Sequence, residues 1–146
     1  MRGSRLVTLA AVAVSLACGG DGNGPNRDQF AGTWDATKLE FTNVANPSEK
    51  VDIIAAGATF VIVLESNGTY QAEIVIPGQA PDNTTGTWSV SSDVITLRET
   101  GVSFSLQFNW SLSGNTLTIS GADTEFDFND DGTDEPAKAS AVLVKR

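Results

Sequence analysis

From Phe30 onward the chain predicts an all-β domain, an antiparallel up-and-down β-barrel of about eight to ten strands. Three observations carry this expectation. Short runs rich in Val, Ile, Thr, Phe and Trp alternate apolar and polar residues with period two, separated by Gly, Asn or Asp. One segment repeats without gaps, Trp88 to Leu97 aligning with Trp110 to Ile119. Successive strands follow through short connections with no long crossover, the order of a meander closed on itself; a two-sheet sandwich is the alternative these runs allow.

The first strand is expected near 31–42. After it Pro47-Ser48 can open one short helix, with Ser48 as cap, Val51, Ile54 and Ala55 on one face and Gly57 as a stop. The alternative is a short extra strand, since Val51, Ile53 and Ile54 also suit a sheet. Strands near 58–65 and 69–77 meet at Asn67-Gly68. A two-residue turn there would set Leu64 against Gln71 and mix the faces. A three-residue loop, Ser66-Asn67-Gly68, instead pairs Leu64 with Tyr70, Ile62 with Ala72 and Phe60 with Ile74, with Gly68 as a left-handed bulge residue.

Strands near 84–91 and 94–99 form the first copy of the repeat. A turn at Ser92-Asp93 makes Val90 face Ile95 and Trp88 face Leu97. Strands near 102–113 and 116–121 form the second copy, in which a turn at Gly114-Asn115 sets Leu112 against Leu117 and Trp110 against Ile119. Along 102–113, Phe104, Leu106, Phe108, Trp110 and Leu112 take one face, and Ser103, Ser105, Gln107, Asn109 and Ser111 the other. Strands near 124–128 and 137–145 complete the count.

Ahead of the barrel, Arg2 and Arg5 precede an apolar run from Leu6 to Ala17, which ends at Cys18-Gly19-Gly20. A run of roughly a dozen apolar residues is a secretory signal peptide rather than a membrane span, which needs about 20. The single cysteine directly after small Ala17 resembles the lipobox of bacterial lipoproteins, although Ser15 stands where that motif usually has Leu. The resemblance implies that Cys18 is acylated, for example with palmitate, and becomes the new N-terminus; Gly19 after it points to the outer membrane. The alternative is an ordinary cleaved signal that leaves a free thiol. Domain boundaries follow: 1–17 signal peptide, 18–29 lipidated flexible linker, 30–146 barrel.

The net charge is −9, and loss of Arg2 and Arg5 with the signal makes the mature chain more acidic still. Such a surface repels nucleic acid, so the expected partners are the membrane, through the N-terminal lipid, and a small molecule. A monomer is expected. The chain has no histidine, which removes Ser-His-Asp and Cys-His nucleophilic chemistry and His-based zinc sites. No carboxylate pair stands out by spacing, so no catalytic residues and no enzyme are expected.

Phe30-Ala31-Gly32-Thr33-Trp34 at the start of the first strand is a Gly-x-Trp motif, and a second copy follows at Gly86-Thr87-Trp88. With the meander behind it, the chain resembles bacterial lipocalin-like lipoproteins. The resemblance implies that Trp34 closes the bottom of the barrel. Up-and-down order puts the tight turns 66–68, 92–93 and 114–115 at that end and the longer pieces 43–57 and 77–83 at the other. The second end is the expected mouth, with the short helix as lid. Phe60, Ile62, Tyr70, Ile74, Phe104, Leu106, Phe108 and Trp110 are the expected interior residues, suited to an apolar ligand if they do not simply fill the barrel.

One acidic loop, Asp127 to Glu135, places oxygen ligands at alternate positions with Gly132 after the third, which resembles the first half of a calcium loop. Asp127, Asn129, Asp131 and Glu135 are the candidate ligands, and calcium is the one cofactor that the sequence raises. Position twelve of such a loop would be Lys138, and the alternative is a solvated Asp-Gly turn. The combined expectation is a membrane-anchored extracytoplasmic lipoprotein that binds a small hydrophobic ligand in its barrel. A structural or protein-interaction lipoprotein with a filled barrel is the alternative.

Overall fold

The computed structural model describes residues 25–146; the signal peptide, Cys18 and most of the expected linker lie outside the described residues. A single helical turn, α1 (Arg27–Phe30), precedes β1 (Gly32–Asn43), β2 (Lys50–Asp52), β3 (Thr59–Leu64), β4 (Thr69–Val75), β5 (Asp82–Val90), β6 (Val94–Glu99), β7 (Leu106–Ser113), β8 (Thr116–Phe126) and β9 (Glu135–Lys145). β1 pairs with β3, each strand from β3 to β9 pairs with the next, and β9 returns to β1, all antiparallel. The result is a closed up-and-down barrel of the eight strands β1 and β3 to β9, with β2 added beside Glu40, Phe41 and Thr42 of β1. The barrel expectation holds, and closure leaves little of the sheet with an unpaired edge.

The hairpin registers are those the apolar pattern requires. Leu64 pairs with Tyr70, Ile62 with Ala72 and Phe60 with Ile74, and Gly68 sits at φ +91° in the three-residue loop. Val90 pairs with Ile95 and Trp88 with Leu97; Leu112 pairs with Leu117 and Trp110 with Ile119.

The helix expected after the first strand does not form, and the alternative of a short strand does. Asp52, not Ser48, is the organising side chain: its Oδ1 accepts from the backbone N–H of Leu39 on β1 at 3.2 Å and of Ile54 at 3.0 Å. The chain therefore pairs with β1, makes one turn and stops at Gly57, whose φ is +100°. A helix this short is marginal without tertiary support, and strand pairing satisfies the backbone instead.

Two further differences have one cause. The runs expected at 116–121 and 124–128 are a single strand, β8, interrupted by a bulge at Gly121, φ +87°. β1 carries a matching bulge between Ala36 and Lys38. An extra residue reverses the alternation, so the inner face of β1 passes from Trp34 and Ala36 to Leu39, Phe41 and Asn43. That of β8 passes from Leu117 and Ile119 to Ala122 and Phe126. A run that changes phase looks like two strands.

The end that holds the tight turns is plugged. Trp34 and Phe30 are both 0 % exposed. Phe30 meets Trp110 edge-on at a centroid distance of 4.9 Å and tilts against Trp88 at 6.3 Å. Each indole N–H finds a carbonyl: Trp34 donates to Phe30 at 2.7 Å, Trp88 to Glu65 at 2.9 Å and Trp110 to Ser91 at 3.0 Å. Buried indoles need such partners, and here those bonds tie two hairpin turns and α1 across the barrel end. Two cations cap the cluster. Lys145 Nζ lies 5.3 Å from the Trp34 ring and donates to the Gln29 carbonyl at 3.2 Å, and the Arg27 guanidinium lies 5.4 Å from Trp88.

Candidate binding site at the open end of the barrel

Opposite the plug, the longer connections surround the mouth, and a pocket of about 180 Å³ opens between β3, β4, β5, β6 and β7. Its wall is built by alternation. β3 contributes Phe60 and Ile62, β4 Tyr70 and Ala72, β5 Thr84, β6 Leu97 and Glu99, and the β6–β7 connection with the start of β7 adds Phe104 and Leu106.

Gly86 explains the shape of one wall. Tyr70, Gly86 and Glu99 lie in register across β4, β5 and β6. A Cβ at Gly86 would stand 2.8 Å from Tyr70 Cε1 and would overlap the Arg98 carbonyl. The absence of a side chain lets the Tyr70 ring lie over the β5 backbone towards Glu99, a large ring covering a cross-strand glycine. Burial pushes the Tyr70 hydroxyl above its ordinary pKa of 10.0, the Glu99 carboxylate beside it pushes in the same direction, and a hydrogen bond with Thr84 opposes them. The pocket is thus apolar over most of its wall, with a phenol, a hydroxyl and a carboxylate gathered on one side.

Of the eight residues expected inside, Phe60, Ile62, Tyr70, Phe104 and Leu106 come together here. The other three do not line the pocket. Phe108 is buried in the core, Ile74 is half-buried on β4, and Trp110 belongs to the plug at the far end. Phe104 is not a barrel-strand residue: it is 64 % exposed and meets the pocket only at the rim. β7 begins at Leu106, where the pairing with Leu97 of β6 starts, so residues 100–105 form a loop that turns at Gly101, φ +83°.

Ala72, Thr84, Leu97 and Glu99 were not among the expected lining residues. Glu99 was within reach of the same reasoning: pairing Trp88 with Leu97 puts Ile95, Leu97 and Glu99 on one face and Gly86 opposite the carboxylate. A charged residue at the end of an apolar run reads as solvated, and Glu99 is indeed exposed while its side chain edges the pocket.

The acidic loop lies at the same end as the mouth. Asp127 uses both carboxylate oxygens on backbone N–H groups, those of Asp131 at 3.2 Å and Gly132 at 2.8 Å. Asn129 Oδ1 accepts from Asp131 N–H at 3.0 Å, and Asp131 Oδ1 accepts from Thr133 N–H at 2.8 Å. Glu135 accepts from Phe128 N–H at 3.0 Å and from Asn129 Nδ2 at 3.1 Å. The four candidate ligands share one loop but serve to fold it, as Asx turns do. Among the described residues, no group of three or more carboxylates, cysteines or histidines is placed to hold a metal ion.

The chain matches no protein-family model, and no curated protein is significantly similar to it in sequence.

Proposed function

We propose that this protein is a lipid-anchored, extracytoplasmic β-barrel of lipocalin-like type that binds a small, largely apolar molecule at the open end of its barrel. The observation that carries the reading is a barrel plugged by three tryptophans at one end with an apolar pocket at the other. Concave apolar sites with a few convergent polar groups are where small ligands bind. The anchoring half rests on the sequence: the apolar run to Ala17, the lone Cys18 and the Gly-rich stretch that follows. The lipocalin-like part of the reading rests on Gly32-Thr33-Trp34 and the closed up-and-down barrel behind it.

The test has two arms. Native mass spectrometry of the purified protein, or isothermal titration with small apolar alcohols, should reveal a saturable ligand; absence of any would remove the binding function. Cys18→Ser should release the protein from membranes, and a variant that stays membrane-bound would remove the anchor. Tryptophan fluorescence is a poor reporter of this pocket, since none of the three tryptophans lines it. A second reading, a structural or interaction lipoprotein with a filled barrel, draws on the pocket's size, which lies below the roughly 300 Å³ usual for ligand sites.

A further inference from the structure

We infer that the mouth pocket selects small amines, molecules with a protonated nitrogen on a short apolar or aromatic body, over alcohols and carboxylic acids of the same shape. The inference rests on the proposed binding function and adds the charge of the ligand. Three observations lead to it.

The first is charge. Among the residues lining the pocket, Glu99 alone is charged, and no Lys or Arg lines it. A fatty acid or other carboxylate would bring its charge to a wall that offers a second anion and no cation. The chain as a whole is also strongly acidic, which adds to the repulsion of anions and draws cations towards the mouth.

The second is the placement of the polar groups. Glu99 lies where β6 ends, in register with Gly86, so no side chain of β5 stands between its carboxylate and the Tyr70 ring. The Tyr70 hydroxyl senses that carboxylate, and the Thr84 hydroxyl lies beside the Tyr70 hydroxyl. An ammonium donates three hydrogen bonds, and a carboxylate, a phenol oxygen and a threonine oxygen all accept. Phe60 and Tyr70 line the same space and Phe104 stands at its rim, and aromatic faces attract cations.

The third is size. About 180 Å³ is room for roughly six water volumes, too little for a long acyl chain and suited to a body of one aromatic ring with a short arm. The small volume that counts against a lipid cargo is what selects this ligand class.

The experiment compares three probes of one shape, phenethylamine, phenethyl alcohol and phenylacetate, by isothermal titration of the purified protein at low salt. Glu99 is exposed at the pocket's edge, so its charge-assisted hydrogen bond should favour the amine over the alcohol by no more than about fivefold, with phenylacetate the weakest. Glu99→Gln should remove the amine's advantage over the alcohol. Glu99→Lys should reverse the order of amine and acid. An amine preference that survives Glu99→Gln, or equal binding of amine and alcohol to the native protein, overturns the inference while leaving the pocket as a ligand site. If none of the three probes binds, the binding function falls with it.

Discussion

The N-terminal turn should matter to stability far more than four helical residues ordinarily would, because Phe30 is the centre of the plug. Its ring is fully buried and touches Trp88 and Trp110, while its carbonyl accepts the Trp34 indole proton at 2.7 Å. Phe30→Ala removes a completely buried ring and leaves a cavity among indoles whose own bonds to the Glu65 and Ser91 carbonyls hold them in place. Such a site collapses poorly. Phe→Ala changes in cores cost about 3–5 kcal/mol, and the lost edge-on aromatic contacts put this one near the upper end. Against a total of about 5–15 kcal/mol for a domain, that is a third or more of the stability. With a urea slope of about 1.5 kcal/mol/M, the midpoint should fall by about 2–3 M. Urea unfolding followed by tryptophan emission is the assay, and the three indoles of the plug make it sensitive. Phe104→Ala, at a position 64 % exposed, is the matched control and should move the midpoint by less than about 0.5 M. If Phe30→Ala shifted the midpoint no further than Phe104→Ala, the docking of α1 under the barrel would be refuted.

Gly86→Ala should destabilise by about 3 kcal/mol, since the new Cβ overlaps the Arg98 carbonyl and crowds Tyr70 Cε1, so β5 and β6 must separate; an unchanged melting temperature would contradict the close strand approach. Tyr70 is the only tyrosine, so its ionisation can be read by absorbance titration of the whole protein. Its folded pKa lies above 10.0, which means its contribution to stability is complete below pH 10.0 and is lost as pH rises through the folded value. Glu99→Gln should lower that pKa but leave it above 10.0, because burial is the larger cause; a native protein titrating at the ordinary value would refute the burial of the phenol. The acidic loop already uses Asp127 to bind the backbone N–H groups of Asp131 and Gly132, so calcium titration at millimolar metal should give no saturable heat, and its appearance would overturn this reading of the loop.

The hairpins were legible because apolar residues had to meet apolar residues. At Asn67-Gly68 only the three-residue loop puts Leu64 against Tyr70 rather than Gln71, and one slipped residue exposes every core side chain of the strand. The repeat at Trp88 and Trp110 left as little freedom. Less legible was everything that depends on a change of phase or on a distant partner. Gly121 turns β8 inside out halfway along, so a continuous strand reads as two. Val51, Ile54 and Ala55 fit a helix face, Val51, Ile53 and Ile54 also fit a strand, and the choice was made by Asp52 reaching the Leu39 N–H across 13 positions of sequence. Phe104 carries the same alternation as Leu106 and Phe108, yet pairing between β6 and β7 begins only at Leu97 and Leu106, and Phe104 falls in the loop before it. Of the site, the apolar half could be read and the carboxylate could not.

The pocket lies where it does because the barrel is lopsided. β1, β8 and β9 are the long strands, 12, 11 and 11 residues, whereas β3 and β6 have 6 each and β4 has 7. Along the long side the inner face is furnished with small residues: Ala122 pairs with Ala139, Ala139 with Phe41, and Ala141 with Leu39 and Ile119. Their size lets the Phe41 ring fold inward and stack on Phe126 at 4.5 Å, with Phe128 against Phe126 at 5.0 Å. The bulges of β1 and β8 bring these residues to the inside, because without the phase change Phe41, Ala122 and Phe126 would face solvent. Half of the mouth is therefore filled by an aromatic stack. The short strands opposite end earlier, at Leu97 and Glu99 on β6 and at Leu106 on β7, and the space they fail to cover is the pocket. A ligand that enters meets aromatic and aliphatic side chains on its sides and the one charge, Glu99, where the short sheet stops. The two extra residues in β1 and β8 thus do more than bend the sheet, since they decide which half of the barrel is packed and which half can hold a guest.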